Sequence, residues 1–321
     1  MQVSVIIPVY KAEAFVRQAV ESALAQPETR EVLLIEDASP DNSWQVCLQL
    51  DEQYDKVRLF RHPDGKNHGA GATRNVGLRE ARCDYISFLD ADDFFLPNRF
   101  TVAQEIFQAH PEADGVYEAI GFYFDNEAIK QRWQANKPGH PHITTMRARL
   151  PPEQFFEAQS PMGDVGYATT GGWVVKRTIF NETGPFDVQL PLHQDTVMYL
   201  KLAAVGRMFP GRLDEPVALR RVHAHNRVTA PRPPWAIYDN YLLMWLALWS
   251  WGRFKLSAHR QELVLRKLVR HALVPYNKKT RRGFQSIKQL GYLLRQCPSL
   301  ATWFLFWKLC LLYFRDANKP T

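Results

Sequence analysis

Asp90 and Asp92 stand two residues apart, where the apolar run Tyr85-Ile86-Ser87-Phe88-Leu89 stops. If the chain curls there, both carboxylates face one point in space. Hard oxygen donors at one point suit Mg²⁺ or Mn²⁺ carrying phosphate. Aspartate also crowds ordinary turns. The plain alternative makes both residues turn or N-cap groups ahead of a helix at residues 94–99, with Asp93 the better cap. What gives the pair meaning is two further polar signals upstream: Pro8-Val9-Tyr10 closes one apolar run, and Glu36-Asp37 closes another.

The elements that must position these residues read as a repeat. Residues 3–10 are apolar and rich in β-branched side chains, the pattern of a strand buried on both faces. A helical stripe follows at Ala14, Phe15, Ala19, Val20, Ala23 and Leu24. Residues 31–35 form a second strand, 43–54 a helix, 57–60 a short strand and 71–82 another helix before the strand at 85–89. Such alternation predicts an open parallel α/β sheet, which binds ligands beyond the carboxyl ends of its strands. All three polar signals fall on that rim. Asn67-His68-Gly69-Ala70-Gly71-Ala72 is a glycine-bearing loop before a helix, with Arg74 and Asn75 in its early turns. Glycine admits a ligand close to the backbone, and arginine supplies charge for a base carbonyl or phosphate. The Gly spacing and the lack of Gly-Lys-Ser/Thr exclude dinucleotide and P-loop fingerprints.

Four motifs in this order resemble family 2 glycosyltransferases: residues 3–10, residues 35–41, residues 67–77 and residues 88–93. Gly184-Pro185-Phe186-Asp187 followed by His193-Gln194-Asp195 is similar to the family's segment carrying its catalytic carboxylate. The resemblance implies a GT-A fold, an inverting reaction and a nucleotide-activated sugar donor, with uridine the favoured base. Three positions depart from the family pattern. Lys11 stands where Asn is common, Ala38 where Gly is common after Asp37, and Gln194 where an acidic residue usually precedes the last aspartate.

Carried onto this sequence, the resemblance makes Asp92 a metal ligand and places Asp90 at the ribose, or at the metal through water, with Ala91 between them. Pro8, Val9 and Tyr10 would wall the base, and Asp37 would accept the N–H of a pyrimidine. Glu13 would reach the ribose or serve as a first-turn acid. Asn67, Gly69 and Arg74 would complete the donor site. Asp195 would be the general base, its alternative an N-cap. Gly172 and Trp173 would line the acceptor side together with Gln194, Trp173 either stacking on a sugar or filling the core. His223 would complete the metal shell or touch the diphosphate, or be structural. Ser39, Asp41 and Ser43 read as caps of the next helix. The cofactor implied is a divalent cation, Mn²⁺ or Mg²⁺. The acceptor is a glycan or lipid-linked hydroxyl in cell-surface polysaccharide synthesis.

At 321 residues and 46% hydrophobic content the chain exceeds one average domain. A GT-A domain at 1–230 is expected, with halves 1–110 for the nucleotide and 111–230 for acceptor and catalysis. Residues 231–321 form a helical appendage. Four cysteines without metal spacing read as buried thiols in a reducing compartment. The N-terminus opens directly into a strand, so no secretory signal is read and cytoplasmic residence is expected. Residues 232–321 carry 16 Lys+Arg against 3 Asp+Glu, or +13, and the remainder 24 against 30, or −6. That basic region reads as a partner for anionic lipid at the inner membrane face, with nucleic acid the less favoured partner. Helices are expected at 241–251 and 262–273, and residues 303–314 are the most apolar segment. It falls short of the roughly 20 residues a spanning helix needs. Either these helices lie in a membrane interface or they pack on the catalytic domain.

The rival functions are a sugar-nucleotide synthase and a transferase-like scaffold without catalysis. A synthase would show a Lys/Arg-bearing glycine loop after the first strand, and residues 8–12 are not one. Residues 114–159, polar and proline-rich, would set sugar choice, with a strand at 121–124 and a loop at 138–142.

Overall fold

The computed structural model describes residues 1–136, 142–223, 234–273, 290–302 and 306–311. Most of the loop expected at 138–142 and of the proline-rich hinge at 231–234 lies outside these residues, as does much of the apolar segment 303–314. The chain gathers into two compact units. One holds Met1–Val188 and Leu202–Ala230, the other Gln189–Lys201 and Pro231–Thr321. Residues 189–201 therefore group with the C-terminal residues, not with the rest of the stretch expected as one domain to 230.

In the first unit, β1 (Val3–Val9), α1 (Val16–Leu24), β2 (Thr29–Glu36), α2 (Ser43–Gln53), β3 (Val57–Arg61), α3 (Gly69–Glu80) and β4 (Tyr85–Phe88) alternate as expected. There follow β5 (Phe94–Phe95), α4 (Thr101–Ala109), β6 (Gly115–Tyr117), β7 (Ile120–Phe124), α5 (Glu127–Asn136), β8 (Ile143–Thr144), α6 (Pro152–Ala158), β9 (Trp173–Lys176) and α7 (Phe180–Thr183). The helix α8 (Gln194–Val205) leads to β10 (Met208–Pro210) and β11 (Ala218–Val222). The main sheet has the order β10-β6-β9-β4-β1-β2-β3. Only β9 runs antiparallel to its neighbours. This is the open, mostly parallel α/β sheet flanked by helices. A second sheet has the order β5-β11-β7-β8.

Val3, Val5, Ile6, Ile7 and Val9 are all fully buried, so β1 is covered on both faces. Each such side chain contributes roughly 1.5–3 kcal/mol, an upper figure for a chain already compact when unfolded. Val16, Ala19, Val20 and Ala23 line the inner stripe of α1. Helix α3 sits very close to the sheet: a Cβ at Gly77 would fall 2.4 Å from Ile6 Cγ2. From β1 the chain winds to β2 and β3 on one side and to β4 on the other. The crevice beyond the carboxyl ends of β1 and β4 is therefore the topological switch point.

The helix expected at 94–99 is absent. Phe94 and Phe95 pair instead with Leu219 and Ala218 of β11. Pro97 disfavours helical geometry at Leu96, and the strand partner lies more than a hundred residues downstream, beyond local pattern.

The second unit contains α9 (Pro234–Gly252) and α10 (Ala258–Leu273), packed on each other. Val264, Leu265, Leu268, Val269 and Ala272 form the buried stripe of α10, while Arg266 and Arg270 are exposed. No described helix is long and apolar enough to cross a membrane. All four cysteines are buried and free. Burial pushes the Cys47 thiol up to about 12, with Glu36 and Asp41 adding to the effect.

Candidate active site

Two loops form the floor of the crevice. After β1, the N–H groups of Lys11, Ala12 and Glu13 donate to Ser39 Oγ (3.1 Å), Ser43 Oγ (2.9 Å) and Asp41 Oδ2 (3.4 Å). In return Glu13 Oε2 accepts the N–H of Asn42 at 2.8 Å. Ser39, Asp41 and Ser43 thus lace the neighbouring loop; Asn42 makes no side-chain cap for α2, but Asp41 Oδ1 accepts the N–H of Ser43 at its start, at 3.2 Å. Glu13 precedes α1 and bonds the α2 entrance, which corrects its expected place in the first turn. Lys11 and Ala38 both have positive φ, 53° and 55°. These are two of the three positions that depart from the resembled pattern, and each residue type found here pays about 1–2 kcal/mol in that conformation.

Tyr10 is 46% exposed and offers a flat face, with the Lys11 ammonium 5.4 Å from its ring centre. Pro8 is partly exposed, but the side chain of Val9 is in the core and its carbonyl accepts the N–H of Asp37 at 2.9 Å. Val9 therefore presents no side-chain wall.

Asp37 is buried at the end of β2, and its carboxylate is already engaged. Oδ1 accepts the N–H of His68 (2.7 Å); Oδ2 accepts the N–H of Gly69 (2.8 Å) and Asn67 Nδ2 (2.9 Å). Asn67 Nδ2 also reaches the Asp37 carbonyl at 2.8 Å. Asp37 thus also fastens the 67–69 loop. Gly69, at φ +81°, opens α3 in a conformation that favours glycine. His62 and His68 rings lie 4.4 Å apart beside this loop, and His68 Nε2 meets Asp64 Oδ1 at 2.9 Å.

Helix α3 delivers Arg74 and Asn75 to the rim. Arg74 Nη2 donates to Asp90 Oδ1 at 2.5 Å, and its guanidinium lies 5.7 Å from the Phe186 ring centre. Asn75 bonds the main chain of Phe186 through both amide atoms. The Asp90 turn and the Gly184–Asp187 segment are therefore both referenced to one turn of α3.

Ala91 is buried in the turn, where the N–H of Asp93 donates to the Asp90 carbonyl at 3.0 Å. Asp92 keeps a partly exposed carboxylate, and its Oδ2 lies 3.2 Å from His223 Nε2. The His223 ring is mostly covered, with Phe15 against it at 4.7 Å. Asp93 caps nothing. Its Oδ1 accepts the N–H of Arg221 at 2.9 Å. Burial holds its carboxyl well above the ordinary range, and the charges of Asp92 and Asp90 push the same way. Arg221 at the end of β11 and His223 just after it both reach the same turn. Arg221 Nε donates to the Asp92 carbonyl at 3.1 Å, Nη1 to Asp125 Oδ1 at 2.5 Å and Nη2 to Gln18. Among the described residues no three His, Cys, Asp or Glu side chains are grouped to hold a metal ion. Asp92 and His223 give one oxygen and one nitrogen donor.

On the expected acceptor side, Trp173 takes its core alternative and the assignment of Gly172 changes. Trp173 is 1% exposed and packs near Tyr117 and Phe155, so it fills the core and cannot stack on a sugar. Gly172 makes room for protein, not ligand: a Cβ there would fall 2.3 Å from the Glu118 carbonyl oxygen. Asp195 and Gln194 belong to the second unit, in the first turn of α8. Gln194 is buried, and its Oε1 accepts the N–H of Asp195 at 2.5 Å; Asp195 is partly exposed.

Neither Asn75 nor Arg221 has partners that residue type or spacing could announce. Their roles come from partners 111 and 129 positions away.

A protein of Haemophilus influenzae described as an uncharacterized glycosyltransferase is 42% identical over 93 residues, 29% of this chain and 36% of its own length. This chain thus spans about a third of that relative. The crystal structure of S. aureus TarS 1-349 in complex with UDP-GlcNAc is similar over 99% of this chain and 90% of that one, with TM-score 0.64 and 17% identity. The mannosyltransferase PcManGT from Pyrobaculum calidifontis, in complex with GDP-Man and Mn²⁺, covers 98% of this chain and 85% of its own, with TM-score 0.52 and 16% identity. At these identities the likeness is one of fold, the GT-A type. The profile of glycosyl transferase family 2 matches residues 4–184. With that match spanning β1 to α7, and the Asp90–Asp92 turn at the switch point, the chain belongs to glycosyl transferase family 2.

Proposed function

We propose that the chain transfers a sugar from a nucleotide-diphosphate donor, a uridine diphosphate sugar foremost, to a hydroxyl of a glycan or lipid-linked acceptor. The observation that carries this reading is the turn at the end of β4. There Arg74 from α3 orients Asp90, and His223, just after β11, meets Asp92; Tyr10 follows β1 with its ring exposed. Tyr10 stacks the base, and the loop held by Asp37 brings Asn67 and Gly69 against the donor. Asp90 faces the ribose.

Asp92 and His223 would hold a divalent cation, Mn²⁺ or Mg²⁺. Two protein donors suit an ion that completes its shell with phosphate oxygens and water. The cation supplies positive charge against the leaving diphosphate. TarS with UDP-GlcNAc and PcManGT with GDP-Man and Mn²⁺ support the donor class and the ion. Asp195 takes the proton from the acceptor hydroxyl in a single in-line displacement, which inverts the anomeric centre. The enzyme works in the cytoplasm at the inner face of a membrane, its basic residues 232–321 toward anionic lipid.

A panel of nucleotide sugars tests this by thermal stabilisation and nucleotide release, each with Mn²⁺ and with chelator. One donor should raise the melting temperature, more with Mn²⁺ than with chelator. No stabilisation and no release from any donor would remove the reading.

A further inference from the structure

We propose that the turn between α9 and α10 is the point at which this protein enters an anionic membrane surface. Phe254 inserts at the boundary of head groups and acyl chains, and Arg253 and Lys255 meet lipid phosphates. This rests on the reading that the basic region faces a membrane, and it names the element that makes contact.

Phe254 is 79% exposed, the most exposed large apolar side chain described. A lone exposed hydrophobe is ordinary. This one sits at a turn with a cation on each side, and residues 250–261 hold Arg253, Lys255, Arg260 and His259 with no Asp or Glu. The Arg253 guanidinium lies 4.5 Å from the Phe254 ring centre, so charge and apolar face are presented together.

The turn is held from within. Leu256 is buried, and a Cβ at Gly252 would fall 2.6 Å from Leu256 Cδ1. The N–H groups of Lys255 and Leu256 both donate to the Gly252 carbonyl, at 3.0 and 2.8 Å. Gln261 Nε2 donates to the carbonyls of Arg253 and Leu256, at 3.2 and 2.8 Å. With Leu256 fixed inward two residues on, Phe254 is fixed outward. An ordered tip of one aromatic and several cations fits the interface of an anionic bilayer. There the ring leaves water and each cation adds attraction to anionic lipid.

The test sediments the full chain with vesicles of phosphatidylglycerol and phosphatidylcholine, and with phosphatidylcholine alone, at low and high salt. The wild type should bind the anionic vesicles and weaken with salt. Phe254→Ala should bind about tenfold more weakly, Phe254→Trp near normally, and Arg253→Gln/Lys255→Gln about tenfold or more weakly. The melting temperature should be unchanged in both Phe254 variants, since Phe254 has little to lose on the folded side. If the wild type ignores anionic vesicles, the membrane reading of the basic region falls and this assignment with it. If all variants bind as the wild type does, the membrane reading stands and the turn is not the contact. Concentration-dependent self-association lost in Phe254→Ala, without vesicle binding, would give the turn to a second copy of the chain and overturn the proposal.

Discussion

The side-chain amide of Asn75 is bonded to both main-chain polar groups of Phe186. Nδ2 donates to the carbonyl at 2.9 Å and Oδ1 accepts the N–H at 2.8 Å. Both residues are buried, so no water replaces these bonds when they are lost. Asn75→Ala should destabilise the protein by about 2–4 kcal/mol, with two backbone groups left unsatisfied. Denaturant unfolding measures it; a loss under about 0.5 kcal/mol would mean the segment finds other partners.

Positive φ at Ala38 has a direct consequence. Glycine takes that conformation without steric conflict, and Ala38→Gly should stabilise by about 0.5–1 kcal/mol after the entropy it adds to the unfolded chain. A lower melting temperature for the variant would contradict the strain at this position.

The two aspartates assigned to chemistry should separate cleanly. Asp92→Asn should lose the Mn²⁺-dependent part of donor stabilisation. Asp195→Asn should keep donor stabilisation while turnover falls by about 10²–10⁴. Near wild-type transfer by Asp195→Asn would take that residue out of the mechanism.

Stability should fall on the acid side of neutrality through His62. Burial holds its imidazole below the ordinary range; Asp37 opposes this and neighbouring His68 adds to it. Unfolded, the ring takes its proton near about 6.5; folded, only at lower pH. Between the two values the unfolded state binds more protons. Stability from this group is therefore full above the unfolded value and falls as pH drops toward the folded one. His62→Gln should flatten part of that slope in unfolding free energy against pH. The rest of the slope includes His271, which is shifted the same way by burial and by the neighbouring charges of Arg270 and Lys267. An unchanged slope would remove His62 as its source.

What could be read along the chain was what neighbours in sequence decide. The strands β1, β2 and β4 declared themselves because two-faced burial leaves an unbroken apolar run, and the carboxyl ends of such strands are a rim wherever the sheet is open. Asp90 and Asp92 were found that way. Partners distant in sequence were not legible. Nothing near Phe94 announces β11, and nothing near Trp173 separates a sugar platform from a core ring stacked among Tyr117 and Phe155. The loop contacts of Asp37 were hidden for a related reason. A carboxylate at a strand end can serve a ligand or a loop, and only the fold brings the N–H groups of His68 and Gly69 within reach.

Residues 189–201 belong with the last ninety or so residues, where the His193 ring rests 4.4 Å from Tyr241, and the chain rejoins the first unit only at Leu202. A gene carrying a stop codon just past residue 230 would therefore remove more than a basic appendage. It would strip Asp195 of its surroundings, and such an allele should behave as inactive even when supplied with donor and acceptor in solution.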